Sequence, residues 1–330
     1  MIRNLEVSPI GMGCMGFSHG YGQVPEESYS IEAIRKAHDF GCTFFDTAEA
    51  YGREQFYLGH NEELVGKATE PFRKDIVLAT KLHLHPEEVE SSTVYAAVKR
   101  HLSESMARLR TDHIDLYYLH RINNAVPVEE VADAMGKLIR EGLISGWGVS
   151  QVDVTTLDKA HKVTPVSAVQ NLYNMLERDC ETDIFPYCLE NNIGVVPFSP
   201  IASGFLSGKI TVDTKFEEKD DVRNWVPQLK KENIAANQPI LDILAKYSME
   251  KGATNAQISL AWMLHKYPNV VPIPGSKNQE RILENLGGWN VRLTDAEFAN
   301  LESVLNACTI HGHRGHVETE SNAFSRNWRK

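Results

Sequence analysis

Ile114-Asp115-Leu116-Tyr117-Tyr118-Leu119-His120 is an apolar run, broken once, that ends on an imidazole. It is too short for a buried helix and rich in the residue types that favour strands. Two earlier stretches have the same shape. Thr43-Phe44-Phe45 runs into Asp46, with Tyr51 shortly after, and Ile76-Val77-Leu78-Ala79-Thr80 runs into Lys81. Each is separated from the next by about one strand-plus-helix unit of roughly 30 residues or more. If the three are successive parallel strands, a carboxylate, a phenol, an ammonium and an imidazole meet at one rim of one sheet.

Outward from these runs the same alternation continues. Candidate strands are Ile10–Gly13, Thr43–Phe45, Ile76–Thr80, Asp115–Leu119, Ile144–Val149, Ala168–Gln170, Gly194–Pro197 and Val270–Ile273. Amphipathic stretches lie between them, and Leu293–Leu305 reads as an extra helix opened by Thr294 with Glu297 in capping-box register. Strand-helix alternation implies a parallel sheet with right-handed crossovers. Eight such units in one chain predict a (β/α)8 TIM barrel, spanning residues 1–330 as a single domain. Gly11-Met12-Gly13-Cys14-Met15-Gly16 has the spacing of a dinucleotide-binding turn, but the next helical pattern begins only near Ser28, so the doubly wound alternative is disfavoured. Ser199 to Asn237 is a long connection, expected to act as a lid or binding loop, and residues 306–330 form a tail.

Composition narrows the function. The chain has 330 residues, 42% hydrophobic and 24% charged, with a net charge of −10. A large core fits, and a basic footprint for nucleic acid is missing. Neither a signal-like N-terminus nor a run of 18 apolar residues is present, which predicts a cytoplasmic protein with no membrane role. The five cysteines (Cys14, Cys42, Cys180, Cys188, Cys308) lack a paired framework and are expected to be reduced.

The strand-end cluster suggests proton transfer. A phenol titrates near 10, and a nearby ammonium favours its ionised form. Lys81 is the expected source, Asp46 holds it charged, Tyr51 donates a proton, and His120 orients the acceptor oxygen or assists proton delivery. The bland readings are a capping Asp and a packed Tyr; joint placement at strand ends argues against them. His83 and His85 after Lys81 would suit a barrel metallohydrolase, although Lys81 would repel a cation; loop histidines are preferred, with His83 able to line the pocket. His311, His313 and His316, with Arg314, read as a polar tail.

The run Asp46-Thr47-Ala48-Glu49-Ala50-Tyr51-Gly52, followed by Gly59-His60-Asn61-Glu62-Glu63-Leu64-Val65-Gly66-Lys67, resembles the opening signature of the aldo-keto reductase superfamily. Arg108 through His120 resembles its second signature. Ile273-Pro274-Gly275-Ser276-Lys277, with Arg281, Glu284 and Asn285, resembles its third. The subgroup resembled is that of bacterial and plant members and potassium-channel β-subunits. The resemblance covers about Val7 to Leu305 and implies NADPH/NADP+ as cofactor, a small aldehyde or ketone as substrate, and no metal. It implies Tyr51 as the acid, with Asp46, Lys81 and His120 completing the tetrad. By matching position it places Ser150, Gln170 and Asn171 on the carboxamide, Phe198 on the nicotinamide face, and Ser199, Ile201, Ser203 and Gly204 on the pyrophosphate. Gly275, Ser276, Lys277 and Arg281 then fall to the 2′-phosphate region, and Glu284 and Asn285 to the adenine.

Gln151 replaces the Asn that the resemblance leads one to expect after Ser150. The segment Arg121 to Pro127 is short, so substrate selection falls to the first loop (Phe17, His19, Tyr21), to Trp225 in the long loop, and to the tail, with His83 beside them. An alternative from another class is a redox-sensing NADPH-binding regulatory protein with slow turnover, as the channel subunits suggest.

Overall fold

The computed structural model describes residues 1–216 and 221–315. Seven parallel strands form one sheet in sequence order: β1 (Met12–Gly13), β2 (Phe44–Asp46), β3 (Val77–Leu82), β4 (Ile114–Leu119), β5 (Ile144–Ser150), β6 (Ala168–Gln170) and β7 (Gly194–Val195). Helices such as Glu27–Asp39, His60–Thr69, Val94–Arg108 and Val128–Arg140 fill the crossovers.

An eighth strand was expected at Val270–Ile273. The segment is there, but it joins its neighbours by isolated bridges, Val195 to Val270 and Gly13 to Gly275. Its sequence explains why. Val271 N and Ile273 N donate to Val195 O and Pro197 O on the β7 side. The residues facing β1 are Pro272 and Pro274, which have no N–H to give. They only accept, from Gly11 N (2.9 Å) and Gly13 N (3.4 Å). The ladder on that side runs one way, so the regular sheet has seven strands.

Alternation along each strand sorts side chains to two faces. Phe44, Val77, Ala79, Leu116, Tyr118, Ala168, Val196, Val271 and Ile273 share one apolar cluster inside the curled sheet. Phe45, Leu78, Tyr117, Trp147, Val149, Val169 and Val195 belong to the larger cluster shared with the helices. Ile2 and Leu5 join the inner cluster, and Ile2 lies against Gly194, the first residue of β7, at the end where strands begin. Continuing the inner parity past the apolar layer gives Asp46, Lys81, His120, Ser150, Gln170 and Phe198.

The crossover from β3 to β4 holds the helix Val94–Arg108, capped by Thr93, and before it a separate short helix, Pro86–Glu90, opened by a capping box of His85 and Glu88. The long connection is not structureless: it holds short helical turns at Ala202–Ser207, Val222–Trp225, Pro227–Leu229 and a helix at Lys231–Ala236.

Gly148 lies opposite Tyr118 in the β4–β5 register. A Cβ there would sit 2.4 Å from the Tyr118 ring and 2.6 Å from Ala168 O. Gly148→Ala is expected to destabilise the fold by about 2–3 kcal/mol through overpacking, read as a lowered urea midpoint with an unchanged m-value.

Candidate active site

The residues at the inner strand ends converge. Lys81 Nζ lies 2.5 Å from Asp46 Oδ1, 2.7 Å from Thr47 O and 3.2 Å from Tyr51 Oη. Lys81 is 0% exposed and Asp46 is 2% exposed. Gln170 Nε2 donates to the other Asp46 oxygen at 2.8 Å. The His120 ring packs edge-on against Tyr51 at 5.6 Å and lies 4.3 Å from His83. Tyr51, His83 and His120 all line a cleft of about 510 Å³ at this end of the sheet.

The loop carrying Tyr51 is clamped by the following helix. Asn61 accepts from Thr47 Oγ1 (2.6 Å) and donates to Cys14 O (3.0 Å) and Ser18 Oγ (2.7 Å). Below it, buried Glu62 accepts from Thr80 Oγ1 (2.5 Å) and Arg108 Nε (2.6 Å). Glu49 holds His83 N (2.7 Å) and pairs with His101 Nδ1 (2.8 Å).

Electrostatics assign protonation states. Burial alone would pull the Lys81 ammonium down, but Asp46 and Tyr51 more than offset it, so Lys81 titrates above its usual range. The sequence reading expected Lys81 to lower the phenol of Tyr51. Burial is the larger effect: Tyr51 is raised, with Lys81 and Arg121 opposing. The phenol therefore carries its proton at neutral pH. Burial, then Arg121 and His83, hold His120 well below its usual value, so its imidazole is neutral. Cys14 is fully buried and its thiol is raised, chiefly by burial, which makes it a packed group and not a nucleophile.

The model of the Aldo/keto reductase family matches residues 9–306. The chain belongs to the aldo-keto reductase family. A probable aldo-keto reductase 1 from Glycine max is 34% identical over 318 residues, spanning 94% of this chain and 89% of the relative. The solved glycerol dehydrogenase of Gluconobacter oxydans is 26% identical, with a TM-score of 0.82 over 96% of this chain and 97% of its own. An aldo/keto reductase from Klebsiella pneumoniae, solved in complex with NADP and acetate, is 28% identical, with a TM-score of 0.70 over 91% of this chain and 92% of its own.

The same cleft of this aldo-keto reductase collects most of the remaining expected residues. Ser150, Gln170 and Phe198 line its floor; Ser199, Ile201, Ser203 and Gly204 one lip; Gly275, Ser276, Lys277, Arg281, Glu284 and Asn285 the far end. Three residues lie elsewhere. Asn171 exchanges hydrogen bonds with the backbone of Val152 (2.9 and 3.1 Å), away from the cleft. Phe17 is 0% exposed in the helix-side core, and Trp225 is 62% exposed outside the lining, whereas Tyr21 and His83 do line it. Gln151 also turns away: its Oε1 accepts from Leu172 N at 3.0 Å. His85 caps a helix, His311 pairs with Asn237, and His316 lies outside the described residues.

Lining residues that the sequence reading did not single out include Met15, Glu54, Arg121, Lys209 and Arg223, while Arg314, read as part of a polar tail, also lines the cleft. The signal for Arg121 was its position directly after a strand-end His. Arg314 belongs to the tail expected to help select substrate, and its place is fixed by a contact of its backbone with Glu177 far back in the chain.

Burial, then Arg121, lowers His83 to about 4. Between pH 6.5 and 4 the unfolded chain binds a proton at this position that the folded chain does not, so stability is complete above pH 6.5 and declines as pH falls. His83→Asn is expected to reduce the slope of unfolding free energy in that window by up to about 1.4 kcal/mol per pH unit, measured by urea titrations between pH 7 and 4.5.

Proposed function

We propose that the chain is an NADPH-dependent oxidoreductase that reduces small aldehydes or ketones to alcohols, with Tyr51 as proton donor. The observation that carries this reading is the contact of the protonated Tyr51 hydroxyl with a buried, ion-paired ammonium. It acts within a single (β/α)8 barrel domain, residues 1–330, in which the segment at 270–275 serves as the eighth strand; the loop 199–237 and the tail 306–330 are its appendages. Its place of action is the cytoplasm.

The cleft suits a dinucleotide. Ser199, Ala202 and Ser203 adopt positive φ angles of 50°, 48° and 55°, unusual for residues with a Cβ. Strain of this kind is kept where it serves a site. Ser203 Oγ is buried there without a partner among the described residues, as an anion-facing hydroxyl would be. Phe198 offers a ring face to the nicotinamide, with Ser150 and Gln170 beside it for the carboxamide. Asn171, expected in that role, stays with the Val152 backbone. Ile201, Gly204 and Gly275 give backbone contacts, Ser276, Lys277 and Arg281 meet the 2′-phosphate, and Glu284 and Asn285 the adenine. NADPH, when bound, supplies the hydride.

The chain's own groups handle the proton. His120, neutral, donates a hydrogen bond that orients the substrate oxygen. As negative charge develops there, the Tyr51 O–H bond breaks and its proton moves to that oxygen. The phenolate left behind is stabilised by Lys81, whose charge Asp46 and Gln170 hold in place. The two electrons of the hydride and this proton complete the alcohol.

Tyr51→Phe is expected to lower the rate of aldehyde reduction by about a hundred- to ten-thousand-fold while NADPH still quenches protein fluorescence with unchanged affinity; near-normal turnover overturns the assignment. Sustained turnover by the parent chain separates an enzyme from a regulatory binder, which would stop after one reduction. In a second experiment, Lys277→Ala with Arg281→Ala is expected to weaken NADPH at least about tenfold more than NADH, as loss of charged hydrogen bonds implies. Equal weakening of both refutes the phosphate site.

A further inference from the structure

Behind the cleft lies a charged group that the reduction itself does not touch. His101, on the helix Val94–Arg108, is 8% exposed and stands between two carboxylates. Its Nδ1 is 2.8 Å from Glu49 Oε2, and its Nε2 is 3.0 Å from Glu88 Oε1. A neutral imidazole has one N–H; only the imidazolium donates from both nitrogens. Carboxylates facing both nitrogens therefore require the charged ring. Burial alone would lower His101, but Glu49 and then Glu88 outweigh it and hold the ring above its usual value.

The other oxygen of each carboxylate holds one short strap of main chain. Glu49 Oε1 accepts from His83 N at 2.7 Å, and Glu88 Oε2 accepts from His85 N at 2.9 Å. His83 lines the cleft, its ring 4.3 Å from that of His120. Glu49 stands two residues before Tyr51, and its backbone joins Lys81 O (3.2 Å) and Gly59 N (2.8 Å). One ring thus connects the Tyr51 loop with the strap that carries His83. The neighbouring charges are already matched. Arg100 also donates to Glu88 Oε1, whereas Glu49 forms no second ion pair among the described residues. Glu62 and Glu104 pair with Arg108. Burial keeps the Tyr117 phenol of β4 un-ionised, and His83, pulled down to about 4, is neutral. His85 caps its own helix, and the buried face of Val128–Arg140 carries no titratable side chain.

We propose that His101 is a positioning residue for the reaction: its imidazolium clamps the Tyr51 loop to the His83 strap through Glu49 and Glu88. When the ring gives a proton to solvent, one nitrogen turns a lone pair toward a carboxylate. Glu49, the more buried of the two (side chain 4% exposed against 19%) and without another cation, keeps the remaining N–H. Glu88 is left with Arg100, turns toward it, and releases His85 N. The folded-state value of His101 is raised, so the clamp is complete below the ordinary histidine range and is lost as pH rises through the raised value. The cleft therefore loosens on the alkaline side, while burial keeps the proton on Tyr51.

This inference rests on the reductase reading above, and amide hydrogen exchange tests it without turnover. The full chain with NADP+ bound is titrated by NMR over about pH 6 to 9, the His101 ring being assigned by its loss in His101→Gln. The protection factor of the His85 amide, which already removes the intrinsic pH dependence of exchange, and kcat/KM for an aldehyde are measured over the same range. Both are expected to fall about tenfold as the ring loses its proton, the loss of one charged hydrogen bond, with KM changing more than kcat. His101→Gln is expected to show the low values at every pH. If protection and kcat/KM ignore the titration of the ring, or if His101→Gln keeps the parent profile, the clamp is wrong and the reductase reading stands. A ring that holds one protonation state throughout also overturns it. If no aldehyde is reduced at any pH, the reductase reading fails, and the His85 protection profile alone decides the clamp. Should His101→Gln not fold, the parent chain decides: protection and kcat/KM must fall together, and separate curves refute the proposal.

Discussion

An ammonium and a carboxylate buried together at the end of the sheet set the terms for everything around them. Taking Lys81 and Asp46 out of water costs several kcal/mol for each ion. The return comes only if every remaining donor and acceptor is matched, and here three different strand ends do the matching. Asp46 comes from β2, Lys81 from β3, and Gln170 from the end of β6, across the interior of the curled sheet. The pair therefore holds distant strands in register as well as polarising a phenol. A shift of one residue in any of them would turn its polar end toward the helices and leave a charge bare among apolar side chains.

Much of this was legible from the chain because strand periodicity is two and the apolar layer is short. Once Phe44, Ala79, Tyr118 and Ala168 are inward, Asp46, Lys81, His120 and Gln170 must follow two residues later. Capping chemistry was equally readable, as Thr294 and Glu297 show by closing the box that starts Asp295–Ala307. Loops obeyed no such rule. Phe17 and Tyr21 sit four residues apart, yet one enters the core and the other lines the cleft. Trp225 was an obvious aromatic in a long connection, but nothing in its sequence fixed which way the short turn Val222–Trp225 would face.

Sequence reasoning also misjudged how opposing effects balance. Proximity of Lys81 to Tyr51 is implied by the strand ends, but the depth of burial is not, and depth proved the larger influence on the phenol. Asn171 was misplaced for a related reason. It follows Gln170 directly, so alternation sends its side chain to the opposite face, where it ties down the turn after β5.

The prolines of the eighth segment have a further consequence. Positions 272 and 274 carry no amide hydrogen, so at these two residues the bonds toward β1 are donated by Gly11 N and Gly13 N alone. An edge bonded mainly from one side costs less free energy to part than one bonded from both. The edge is bridged instead by a side chain: Lys277, just past the prolines, gives its ammonium to the carbonyls of Tyr21 and Gln23 in the first loop. The segment after Pro274 is thus fastened to the first loop by an ammonium that two main-chain carbonyls share.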